Sequence, residues 1–383
     1  MRKSVLELVL SVAGAAGILA ATILAATSPI TTSRVDARKL QQAVDQAVEF
    51  LQKAQAPDGS YASASGGPGV TAVVTTGLLR NGRGVNDPLV AKGLEYLEKQ
   101  VKRDGGIYQA GSHFKNYETC LAMLCLSEAN RGGRYAKILK AAEEFCRKDQ
   151  WGEDESIDKD NPNYGGVGYD KQGKPRADLS NTQFLIEALR AAGDGPDDPA
   201  LQKALIFVSR CQNHESQYNT LGFAAKNPDG GFYYTPAGGG QSPAGTVENG
   251  GLRSYGSMTY AGLKSMIYAG VGPNDPRVKA AFDWIKKHYD VQANPGMPQP
   301  DAGLYYYYHT FAKALDAMKL DTIEDARGVQ HDWRTELAAE IVRHQKPDGS
   351  WINGNPRWLE GEPALVTGYA LLTLSYCRPS AGK

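Results

Sequence analysis

QKPDGSWING, residues 345–354, has a near copy almost three hundred positions earlier in QAPDGSYAS, residues 55–63. The shared core is turn chemistry: Pro sets φ, Asp bonds its own backbone, and Gly supplies a positive φ. Gly followed closely by an aromatic residue recurs four more times. The copies are KRDGGIYQ around Gly106, NYGGVGYD around Gly166, NPDGGFYY around Gly231 and PDAGLYYYY around Gly303. With Gly59 and Gly349 there are six, 46 to 72 residues apart, as expected of one unit carrying insertions.

The flanks make the repeat a helical one. Upstream of the first turn, ARKLQQAVDQAVEFLQKAQ places Leu40, Val44, Ala47, Val48 and Leu51 on one face at three- and four-residue spacing. Three other upstream segments, NDPLVAKGLEYL, DDPALQKALIFV and NDPRVKAAFDWI, open with Asp87, Asp198 or Asp275 as cap and Pro88, Pro199 or Pro276 as first helical residue. Downstream of each turn lies a more apolar segment: VTAVVTTGLL, ETCLAMLCL, NTQFLIEAL, MTYAGLKSM, HTFAKALDAM and VTGYALLTL. Stacked, they share a Thr, namely Thr71, Thr119, Thr182, Thr259, Thr310 and Thr367. This predicts an all-α, (α/α)6 toroid over residues 34–383, with six inner helices ringed by six outer ones around a central cavity. The Thr ring reads as capping or back-bonding that recurs with the repeat geometry.

The Gln-x-Pro-Asp-Gly-Ser-aromatic element resembles the QW-type repeat of the terpenoid cyclase and protein prenyltransferase superfamily, over nearly the whole chain after residue 36. That resemblance implies an apolar cavity for an isoprenoid-type ligand. Hopene-type cyclases protonate an alkene with an Asp-x-Asp-Asp acid, and no such motif occurs here. The acidic tract GEDESIDKDN, with Asp154, Glu155, Asp158 and Asp160, reads as a solvated loop. Prenyltransferases hold zinc with Asp-x-Cys and a later Tyr-His-Thr. His309 before Thr310 matches the last piece, but Gly256 and Met258 stand where the first would fall, so no metal is expected. Neither an Asp-Asp-x-x-Asp cluster nor a phosphate loop is present, and the Gly tract 236–251 reads as a flexible insertion. No cofactor and no partner subunit is implied.

Composition describes a globular body of 42% hydrophobic and 22% charged residues, with 42 basic against 42 acidic side chains, which gives no electrostatic case for nucleic acid. At the N-terminus, Arg2 and Lys3 precede a nearly uncharged run from Leu8 to Thr27, long enough to span a bilayer. Residues 1–33 are therefore expected to be a signal peptide or membrane anchor, with the toroid extracytoplasmic. Cys120, Cys125, Cys146, Cys211 and Cys377 lie in apolar helical segments and read as buried thiols.

In a toroid the residue before each ring Thr approaches one mouth of the cavity: Val70, Glu118, Asn181, Met258, His309 and Val366. His309 and Glu118 are candidates for acid–base work on the polar part of an apolar ligand, with Asn181, Tyr255, Tyr308 and Asp178 as binding groups. The plainer reading is that these residues satisfy backbone groups at helix starts. Three functions follow: a cyclase-like enzyme or isoprenoid binder, a noncatalytic toroid for a protein or lipid, and a polysaccharide-lyase-like toroid using Asn181, His309 and a Tyr.

Overall fold

A computed structural model of the chain describes residues 37–169 and 176–378. The leader expected over 1–33 lies outside the described residues. Among the described residues no helix is long and apolar enough to cross a membrane.

Outer and inner helices alternate along the chain. They are α1 (Ala37–Ala54) and α2 (Ser63–Arg80), α3 (Pro88–Lys99) and α4 (Lys115–Ala129), then α5 (Ala136–Asp149) and α6 (Leu179–Ala192). Next come α7 (Pro199–Arg210), a short α8 (Gly222–Lys226) and the inner helix α9 (Gly256–Tyr268). The last pairs are α10 (Pro276–Lys287) with α11 (Leu304–Ala317), and α12 (Trp333–Arg343) with α13 (Pro363–Cys377), where a small hairpin of β1 (Ile323–Glu324) and β2 (Gln330–His331) precedes α12. Inner helices pack in the order α2, α4, α6, α9, α11, α13 and back to α2, and α1 meets α12 and α13, so the ring closes.

The sequence rules for the outer helices hold. α1 buries Leu40, Ala43, Val44, Ala47, Val48 and Leu51. Asp87, Asp198 and Asp275 each accept backbone N–H bonds at the start of α3, α7 and α10, with Pro in the first turn. Inner helices are buried nearly all round, and all five cysteines are buried free thiols.

Three locks recur at the turns, a Gln amide at four of them and a glycine and a ring Thr at five. The first is a Gln at the end of the outer helix. Gln55 Nε2 donates to Gly59 O (3.1 Å) and to Leu89 O (3.0 Å) at the start of the next outer helix. Gln150 and Gln212 do the same with Gly165 and Ala200, and with Gly230 and Arg277. Gln345 bonds Gly349 O (2.9 Å) and reaches Ala43 O (2.8 Å), 302 residues away, which seals the ring. The second lock is the glycine itself. Gly59, Gly105, Gly165, Gly230 and Gly349 all have φ between 81° and 93°, and a Cβ on any of them would overlap a carbonyl oxygen of the neighbouring outer helix. This corrects the repeat register: the equivalent residues are Gly105, Gly165 and Gly230, the first of each doublet, not Gly106, Gly166 and Gly231.

The third lock is the ring Thr. Thr71, Thr119, Thr182, Thr259 and Thr367 accept, at 3.0–3.1 Å, from the backbone N–H of Tyr61, Ile107, Val167, Phe232 and Trp351, each two residues after the turn glycine. The hydroxyls are structural, as the plainer reading of the Thr ring holds.

The fifth turn departs from the pattern. Gly303 sits at the start of α11 with φ 65°, and Thr310 bonds only Tyr307 O. The α10–α12 joint is made instead by Tyr289, which stacks on His331 at 4.1 Å and donates to Glu336 (2.8 Å). The Gly tract 236–251 folds back on itself through bridges Thr235–Gln241 and Thr246–Leu252.

Candidate functional site

The described parts of the long insertions, 150–169, 176–178 and 211–255, lie on the turn side, where the inner helices begin. Short connections join inner to outer helices at the opposite end, except between α11 and α12, where the β1–β2 hairpin intervenes. There a cavity of about 370 Å³ opens onto the ring axis. Counted from the ring threonines, α2, α4, α6 and α13 line it with residues two, five and nine positions further on. The inner wall is Val73, Leu121, Phe184 and Tyr369, followed by Thr76, Leu124 and Leu372, and the rim carries Arg80, Glu128, Ala191 and Tyr376. α11 contributes His309 and Lys313.

Five of the six inner helices contribute charged groups in and around this chamber. Arg80 bonds Glu128 (3.1 Å) and the Tyr376 hydroxyl, and its guanidinium lies 5.1 Å from the centre of the Tyr376 ring. Deeper in, Glu187 of α6 forms ion pairs with both Lys264 of α9 and Lys313 of α11, and Lys264 also bonds Gln183. Burial alone would raise the Glu187 carboxyl, but the two ammonium groups hold it at about 2. Burial depresses both lysines and is opposed by Glu187. His309 is pushed well below its ordinary value by burial first and by Lys313 next, so its imidazole is neutral, and its Nδ1 is buried without a partner. The polar line continues through Gln183 to the Tyr306 hydroxyl (3.2 Å) and Ser180 Oγ (3.1 Å).

The six candidate residues do not meet at one point. His309 lines the chamber. Asp178, Asn181 and Tyr255 lie together at the start of α6 and α9. Asp178 caps α6 by accepting from Asn181 N and Nδ2, both at 2.9 Å, and Asn181 accepts from Asn116 Nδ2 (3.2 Å). Burial pushes the Asp178 carboxyl up to about 6 against the pull of Asn181, Tyr234 and Arg176, and the buried Tyr255 phenol feels its charge. Glu118 is tied locally, accepting from Gln109 N (2.9 Å) and Ser112 Oγ (2.8 Å), with its carboxyl raised by burial. Tyr308 packs edge-on against Tyr305 on the side of α11 that senses Glu340 and Arg343 of α12.

Arg80, Glu128, Glu187, Lys264, Lys313 and Tyr376 are site residues that motif searching passes over. Their signal is register. Glu187 and Lys264 each stand five residues after the ring Thr, charges inside otherwise apolar helices. α11 is rotated relative to its Thr: Tyr306, His309 and Lys313, at three- and four-residue spacing, are its axis-facing positions. The register also exposes the nearest approach to an Asp-x-Asp-Asp sequence at an inner-helix start. Asp178-Leu179-Ser180-Asn181 keeps the first carboxylate and has a hydroxyl and an amide in place of the other two.

Neither a protein-family model nor a curated protein sequence matches the chain. Solved structures do. The type II terpene cyclase MstE from Scytonema superposes with a TM-score of 0.54 at 14% identity, covering 88% of this chain and 98% of its own. The fold is an α/α toroid. A variant of that cyclase in complex with its substrate, geranylgeranyl dihydroxybenzoate, gives a TM-score of 0.55 at 14% identity over 89% of this chain and 97% of its own. A possible member of the GH105 family from Salmonella enterica serovar Paratyphi A gives 0.54 at 12% identity over 88% and 93%. Neighbours of such different kinds carry the architecture and leave function to the site.

Proposed function

We propose that the toroid holds a small molecule with an elongated apolar body, of the isoprenoid class, in its axial chamber. The observation that carries this reading is the chamber itself, about 370 Å³ with Val73, Leu121, Leu124, Phe184 and Leu372 along its walls, within the size range of small-molecule sites. The likeness to a cyclase that takes a geranylgeranyl substrate supports the same class of ligand.

Cyclisation by alkene protonation is not the chemistry these residues supply. Glu128, the carboxylate on the chamber wall, is paired with Arg80, and Glu187 is held ionised by two lysines. Asp178, whose carboxyl sits near 6, spends both oxygens on Asn181. Asn181 is in turn committed to Asp178 and Asn116, which leaves a lyase-like trio with His309 without its amide. Binding is the activity the chamber supports best. The apolar run 8–27 behind Arg2 and Lys3 supports an extracytoplasmic protein, anchored or secreted.

Native mass spectrometry of the full-length protein incubated with a C15 isoprenoid alcohol tests the reading. The wild type retains the alcohol, and Leu124→Trp, which fills the chamber, loses it; equal retention by both would sink the chamber as the site. A second reading, a surface that docks a lipid or protein, is supported at the other end of the ring. There Phe114, Trp358 and Leu359 are 52%, 44% and 42% exposed. Trp358 and Leu359 also adopt positive φ.

A further inference from the structure

We infer that the chamber holds an anion subsite, built from Lys313 with His309 and Arg80, and that it takes the carboxylate head of the chamber ligand. The inference deepens the proposed function and rests on its ligand-binding reading. Its basis is a charge imbalance in the centre of the ring. Glu187 is the sole carboxylate paired with two ammonium groups, Lys264 and Lys313, and all three side chains are at least nine-tenths buried. The Arg80 charge nearby is already answered by Glu128. Two buried amines therefore share one carboxylate, and an anion entering beside them would let both hold their protons in a low-dielectric interior.

The placement of the two lysines says where the missing anion goes. Lys264 is fully buried and bonded to Gln183 and Glu187, whereas Lys313 reaches the chamber wall beside His309. A neutral imidazole keeps one N–H that can donate to an anion. Arg80, on the same wall, is close enough for its charge to act on both Lys313 and His309. An excess of one charge fits a monoanion. A diphosphate would overshoot it, and among the described residues there is no group of three or more His, Cys, Asp or Glu that could bring a metal ion to neutralise the surplus. The apolar residues further along the wall then take the hydrocarbon part of the same molecule.

Calorimetric titration of the full-length protein with a C15 isoprenoid carboxylic acid, set against its methyl ester, tests the inference. Acid and ester share the hydrocarbon and differ in charge. The expected result is that the acid binds about tenfold or more tightly than the ester, the range of a charge-assisted hydrogen bond. Lys313→Met should abolish that preference, the acid then binding no more tightly than the ester to the same variant. The variant keeps Glu187 paired with Lys264, and ester binding itself reports that the chamber is folded. If acid and ester bind the wild type equally, the anion subsite is wrong while the chamber reading stands. If neither binds, the chamber reading fails and the subsite with it. An acid preference that survives in Lys313→Met overturns the assignment, because the carboxylate then sits elsewhere, for instance at the exposed Arg131 on the rim.

Discussion

The joints between repeats and the axis of the ring are built by opposite rules. At a joint the same bonds recur: a Gln amide to two carbonyls, a positive-φ glycine against the next helix, and a Thr hydroxyl under a turn N–H. These groups are neutral, and their partners are backbone. On the axis nothing repeats. Two Glu, two Lys and one Arg come from five different inner helices, and their ion pairs are with one another. Repetition fixes the ring, and departure from repetition marks the axis as the candidate site.

The comparison is most easily broken at Glu187. Glu187→Gln leaves two buried ammonium groups facing an amide and should cost about 3–5 kcal/mol in urea unfolding. Lys313→Met, which leaves a balanced Glu187–Lys264 pair, should be neutral or stabilising in the free protein. A joint yields less. Gly349→Ala forces a side chain into φ 88° and into the Gln46 carbonyl, at a cost of about 2 kcal/mol or more. Gly328→Ala, at φ 81° with open space around it, carries the conformational part alone and should cost about 1 kcal/mol. Gln345→Ala, which orphans the Gly349 carbonyl and removes the bond that reaches Ala43 O across the seam, is expected to cost about 1–3 kcal/mol. Gln41→Ala on the exposed face of α1 should fall within about 0.5 kcal/mol of the wild type.

A comparison of a different kind is a pH slope. Glu360, 1% exposed, accepts from Tyr306 N (2.8 Å) and Asn353 Nδ2 (2.6 Å), which ties the last turn to the start of α11. Burial pushes its carboxyl up from 4.5 to about 7 in spite of those donors. The folded state therefore binds the proton more tightly than the unfolded chain. Its contribution is complete below about 4.5 and is lost as pH rises to about 7. Glu187 behaves in the opposite sense, contributing above 4.5 and losing that contribution as pH falls to about 2. Urea midpoints of the wild type minus those of Glu360→Gln should decline between pH 4.5 and 7; a flat difference would show that Glu360 is ionised throughout.

The ring was legible in the sequence because a turn needs specific residues at specific offsets. What blurred the reading was insertion. Gln150 and Gln212 do the work of Gln55, yet 15 and 18 residues separate them from Gly165 and Gly230, so no local pattern links them. In the Gly-Gly doublets, a search for Gly before an aromatic lands on the second glycine, while positive φ falls on the first. The axis was partly hidden for another reason. His309 reads as one more residue before a ring Thr, but α11 is rotated, and Thr310 makes no bond to a turn N–H. Glu187 and Lys264 could have been found by asking which charges stand in phase within the six stacked helices. That they neutralise each other across the ring is a matter of tertiary contact, which no single segment carries.

The central claim is that function resides in the axial chamber, and a crystal structure of the protein grown with the C15 isoprenoid alcohol tests it most directly. The account predicts density for the hydrocarbon between Leu121, Phe184 and Leu372. Density confined to the Phe114, Trp358 and Leu359 rim, with an empty chamber, would contradict it.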